Sequence, residues 1–148
     1  MFTKPLDELD KTDIDDLIEN TQFHENERIE YKSSLPCDGN GSDPWMQGQD
    51  RIGNKAIKKI ASEVIAFANS HGGMLIIGVD ESADEPAKPV AINPLPRCQE
   101  LDQRLMQAVS DSIEPRIDNL QSRVIETDDN GNGVIKIGRA SCRERVSF

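Results

Sequence analysis

Residues 74–79 read MLIIGV, nearly continuous apolar sequence entered through Gly72 and Gly73 and left through Asp80 and Glu81. A strand with no polar alternation has to be covered on both faces. This run is therefore expected at the centre of a sheet, and the rest of the chain must supply layers around it. The preceding text, NKAIKKIASEVIAFANSHGG, places Ile57, Ile60, Ala61, Val64 and Ala68 at helical spacing. Asn54 is able to cap the start of that helix, and Gly72 and Gly73 stop its end.

The flanks supply further elements. RIEYKSS alternates, with Ile29 and Tyr31 on one side and Glu30, Lys32 and Ser34 on the other, the pattern of a half-buried strand. LDKTDIDDLIEN carries Thr12 and Asp15 at capping-box spacing and predicts a short helix over 13–20. From Cys37 to Gly53 the chain is rich in Gly, Asp and Pro, which predicts a surface loop whose one large apolar anchor is Trp45. Beyond a proline-punctuated linker with a short strand around Val90 to Ile92, Leu101, Leu105, Ala108, Val109 and Ser112 line a helix that Pro115 ends. SRVIETDDNGNGVIKI then reads as strand, Asn-Gly turn, strand. The order predicts an α+β (α/β) fold, a single mixed sheet flanked by helices.

Composition narrows the class. With 148 residues the chain fits one domain, and 30% charged against 36% hydrophobic residues implies a modest core with acidic surface segments. No apolar run reaches the ~18 residues of a membrane span, and the first ten residues lack the apolar core of a secretory signal. Cys37, Cys98 and Cys142 form no C-x-x-C, which supports neither a disulfide framework nor a zinc ribbon. A reducing, cytoplasmic setting without membrane contact is expected. A net charge of -10 opposes nonspecific attraction to phosphate backbones, so any nucleic-acid contact needs a local basic patch.

The end of the chain breaks the local patterns. IGRASCRERVSF is basic and aperiodic, and residues 137–146, with suitable codons, resemble the reverse complement of a common sequencing adapter. The expected organisation is a helical leader over 1–22, a domain over 23–136, and a segment over 137–148 that is not native.

Three phrases in fixed order go further: ENERIEYKSSLP, a helix closing in AFANSHGG, and MLIIGVDE. Together they resemble the Schlafen AlbA-type DNA-binding domain, whose pattern is approximately E-x-x-x-x-E-[FY]-K, then A-F-A-N-x-x-G-G, then a strand ending G-V-D. The resemblance implies a nucleic-acid-binding module of a bacterial-type transcriptional regulator or ATPase-linked protein, with further domains downstream. Its partners would be DNA or structured RNA.

In the animal branch of that family the same core is a metal-dependent endoribonuclease acting on transfer and ribosomal RNA. The resemblance carries its two glutamates and aspartate onto Glu25, Glu30 and Asp80 as ligands for Mg or Mn, with Lys32 beside them. That branch duplicates the core, so an enzyme built from this single copy would be a homodimer. A protein-interaction regulatory domain is a third reading, favoured by the acidic balance.

Spacing alone leaves these roles open. Glu30 and Lys32 share a strand face, and Asp80 would share one with Met74, Ile76 and Gly78, so the two acids converge if their strands are neighbours. Glu25 joins them only if the chain turns near Asn26. Equally, Glu30 and Lys32 could be an exposed pair, and Asp80 with Glu81 the mere opening of a loop. Lys55, Lys58 and Lys59 lie at the start of a helix, where cations oppose the dipole; they are candidates for nucleic-acid contact or a solvated face. His24 is expected at the surface, His71 at a helix end where its charged form would be favoured, neither with a catalytic role, and Trp45 is either a stacking platform or a loop anchor.

Overall fold

The computed structural model describes residues 29–37, 41–68, 73–83, 89–113 and 120–139. The helix expected over 13–20, the histidines His24 and His71, Glu25, Pro115 and residues 140–148 lie outside them. The order is β1 (Ile29–Lys32), a 3-10 turn (Pro44–Gln47), α1 (Asn54–Ala68), β2 (Met74–Ile77), β3 (Val79–Glu81), β4 (Pro89–Ile92), α2 (Cys98–Ser112), β5 (Leu120–Glu126) and β6 (Gly133–Arg139).

The main sheet runs β1-β2-β6-β5, with β1 parallel to β2 and the other pairs antiparallel. Parallel neighbours need a long crossover, which the loop and α1 provide. On one face, Leu75, Ile77, Ile135 and Ile137 pack against Ala56, Ile60 and Val64 of α1 and Leu101, Leu105 and Val109 of α2. The other face gathers Ile29, Tyr31, Met74, Ile76, Val134 and Ile125, with Val79 and Ile92 from the β3-β4 pair. All four residues of β2 are buried, as an uninterrupted apolar strand requires. β6 runs past residue 136, with Ile137 wholly buried opposite Leu75 and Ser122. No helix among the described residues is long and apolar enough to cross a membrane.

The apolar run does not form one strand. Gly78 adopts φ +107°, a region open to glycine and strained for other residues. Its N–H still donates to the Lys32 carbonyl at 2.7 Å, while its own carbonyl accepts from the Asn93 N–H at 2.7 Å. The chain therefore leaves the main sheet at Gly78, and Val79–Glu81 pair with β4 in a second, two-stranded sheet. Asp80 is consequently not on one strand with Met74 and Ile76.

The β5-β6 connection also differs from a two-residue Asn-Gly turn. Glu126 pairs with Gly133, leaving a loop from Thr127 to Asn132. The Asp128 carboxylate accepts from the backbone N–H groups of Asn130 at 2.8 Å and Asn132 at 3.1 Å, and from the Asn132 side chain at 2.8 Å. These contacts, the Asn132 side chain first, hold its pKa below the usual aspartate value. Gly131 supplies the positive φ that the loop needs.

Two ionisable groups lie where α2 meets β5. Burial, reinforced by Asp102 and Glu126, pushes the Cys98 thiol up to about 12, so it stays protonated and unreactive. Burial also raises the Asp102 pKa, partly offset by its hydrogen bond with Ser122. A raised carboxylate pKa means that the folded state holds the proton more tightly than the unfolded chain, so stability falls as pH rises from the ordinary aspartate value through the folded one. Asp102→Asn is expected to raise the thermal midpoint at pH 7 and to match the parent at a pH where both forms are neutral. Melting curves across that window test it, and an unchanged difference at all pH values would contradict it.

Candidate nucleic-acid interface

β1 delivers its polar residues to the helix side of the sheet. The register pairs Glu30 with Leu75 and Lys32 with Ile77, so both side chains share the face on which α1 packs. Met74 and Ile76 are on the opposite face with Ile29 and Tyr31. The expectation that Asp80 reaches Glu30 by sharing the Met74 and Ile76 face is thus corrected twice over. That face is the wrong one, and the break at Gly78 removes Asp80 from the strand altogether.

The break places Asp80 at an open cleft of about 500 Å³ lined by Tyr31, Lys32, Ser33, Asp80, Glu81 and Val90. Lys32 and Asp80, two of the residues singled out from the sequence, therefore line one cleft; Glu30 is one strand pleat back from Lys32. Asn93 joins the two walls. Its side-chain amide donates to the Ser33 carbonyl at 2.8 Å while its backbone N–H holds Gly78. Val90, 51% exposed, forms an apolar rim.

Lys32 does not stand alone. Its ammonium lies 3.0 Å from Glu63 Oε1 of α1, and the Lys59 ammonium lies 3.8 Å from the same oxygen. Two cations from a strand and a helix thus converge on one acid. Lys55, Lys58 and Lys59 are all exposed on the first half of α1, whose first turn contains no acid. The helix N-terminus and its lysines together present positive potential. The arrangement can accept an anion lying along the start of α1.

The remaining candidates fall elsewhere. Glu25 lies outside the described residues, and among the described residues no group of three or more His, Cys, Asp or Glu is placed to hold a metal ion. Trp45 is wholly buried, which rules out base stacking and leaves the anchor. Glu63 and Asn93 were not singled out from the sequence, and Glu81 was read only as the partner of Asp80 at the strand's end. Glu63 had a local signal, four residues after Lys59 on a helix, but its contact with Lys32 had none.

A family model for Schlafen, AlbA_2 domains matches residues 25–147. The chain belongs to the Schlafen AlbA_2 family. No solved structure matches it. The Schlafen match takes in every strand and helix described above and begins at Glu25. The cleft and the α1 lysines therefore belong to the Schlafen AlbA_2 core and not to an appended segment.

Proposed function

We propose that this chain is a nucleic-acid-binding module, of the DNA-binding kind found in transcriptional regulators, and that it contacts the backbone through Lys32, Lys55, Lys58 and Lys59. The observation that carries the reading is the convergence of Lys32 and Lys59 beside α1, whose first half also exposes Lys55 and Lys58. In a chain of net charge -10, such a local concentration is what phosphate contact requires. Membership of the Schlafen AlbA_2 family supports the same reading.

Replacing Lys55, Lys58 and Lys59 together by Gln is expected to weaken binding to a 20-bp duplex and to transfer RNA. Each lost phosphate contact lowers the salt slope by about 1, so the triple variant should lose up to about 3. Fluorescence anisotropy at several salt concentrations reads both effects. Unchanged affinity and slope would overturn the assignment, and absence of any affinity in the parent would favour a protein-interaction domain.

A second reading is a Mg- or Mn-dependent endoribonuclease, raised by Asp80 and Glu81 beside Lys32 in the cleft. The described residues do not by themselves assemble its three-acid group, so no metal-dependent step is derived from them. Incubating transfer RNA with the protein, with and without manganese, decides the matter. Fragments that depend on the metal and vanish in Glu30→Ala or Asp80→Ala would favour the enzyme.

A further inference from the structure

We propose that Glu63 is a built-in competitor for the phosphate at this site, occupying with its carboxylate the position between Lys32 and Lys59 that a backbone phosphate oxygen would take. The inference rests on the nucleic-acid reading above and assigns an opposing role to a residue of the same face. Glu63 Oε1 is 3.0 Å from one ammonium and 3.8 Å from the other, the arrangement in which two lysines clamp a single anionic oxygen.

Exposure indicates which member can move. The Glu63 and Lys32 side chains are only 12% and 21% exposed, whereas that of Lys59 is 50% exposed. A poorly hydrated lysine needs a counter-charge, and Glu63 supplies it in the free protein. Lys59 is exposed on α1, so an anion arriving along the start of that helix meets the lysine pair from the Lys59 side. Lys59, the most exposed of the three, meets the incoming charge first, and Glu63 has to give up its contact before the phosphate engages Lys32. The free protein should therefore bind phosphate backbones weakly, with two lysines withheld until Glu63 yields.

The test uses the full chain, a 20-bp DNA duplex and inorganic tripolyphosphate. Glu63→Gln keeps the shape and removes the charge; it is expected to tighten binding of both probes roughly three- to tenfold. For the duplex, freeing the lysines also steepens the salt slope, by roughly 0.9 for each phosphate newly neutralised. Adding Lys32→Met or Lys59→Met to Glu63→Gln should abolish the gain. Glu63→Ala serves as a second variant, and circular dichroism melts show that each protein is folded. Weaker or unchanged binding of both probes by folded Glu63 variants overturns the proposal, because Glu63 would then position Lys32 or only stabilise the fold. Tighter tripolyphosphate binding with no duplex affinity in any variant upholds the competitor role and removes the nucleic-acid reading beneath it. Duplex binding in the parent that Glu63→Gln fails to tighten does the reverse.

Discussion

Trp45→Ala is expected to destabilise the domain by about 3–5 kcal/mol, the range for deleting a large buried aromatic. The indole is wholly buried within the main core, and its N–H donates to the Pro96 carbonyl at 2.8 Å. The Arg97 guanidinium lies over the ring, 4.0 Å from its centre, with Arg104 at 5.5 Å. Arg97 also bonds Asp50 at 2.6 Å and the Gln49 carbonyl at 2.8 Å, and Arg104 bonds the Asp50 carbonyl. The ring is thus the peg on which the loop before α1 is fastened to the start of α2. Arg97 caps α2 with φ +49°, an uncommon conformation for a residue other than glycine, and the stacked ring and these bonds offset its strain.

Urea titration followed by circular dichroism measures the loss, since Trp45 is the single tryptophan and its fluorescence disappears with it. Trp45→Phe should cost less, because it keeps most of the packing but leaves the Pro96 carbonyl without its donor. A loss below about 1 kcal/mol in the alanine variant would mean that the loop is not part of the cooperative unit.

Gly133→Ala is expected to cost about 3 kcal/mol, toward the upper end of overpacking substitutions. A methyl there would be driven into the Ile125 carbonyl oxygen, and it would also lie 2.9 Å from the Glu126 Cα. Both are backbone atoms of β5, fixed by seven residues of pairing, so no side chain can turn aside. Gly133 is held from the other side as well: its N–H donates to the Leu95 carbonyl at 3.0 Å and its carbonyl accepts from Leu95 at 2.7 Å. Relief on one side therefore breaks pairing on the other. Gly41→Ala is the control, because no heavy atom lies within 4 Å of the added methyl. It should change stability by less than about 0.5 kcal/mol. Equal stability for the two variants would show that β5 and β6 can separate locally at little cost.

The elements with a regular repeat were legible in the chain. The apolar spacing of Ile60, Val64 and their neighbours specified α1, the alternation of IEYK specified β1, and the ordered phrases around AFANSHGG specified the Schlafen family. These signals are readable because backbone geometry repeats every 3.6 or 2 residues, so each burial pattern is written within one short stretch. Lys32 and Asp80 were likewise visible in a motif, and the α1 lysines by their place at the start of a helix.

Tertiary structure decided what those residues do together. Gly78 signalled only permission for a positive φ; that the chain uses it to turn Asp80 into a second sheet depends on the Lys32 carbonyl and the Asn93 N–H that receive it. Asn130 and Gly131 offered a tight turn, and three bonds to Asp128 made a wider one. The Lys32–Glu63–Lys59 cluster exists because a crossover lays α1 across the edge of β1, joining residues 31 apart in sequence. Local periodicity carries no information about such a meeting, because the angle and register of packed elements are set by all the side chains between them.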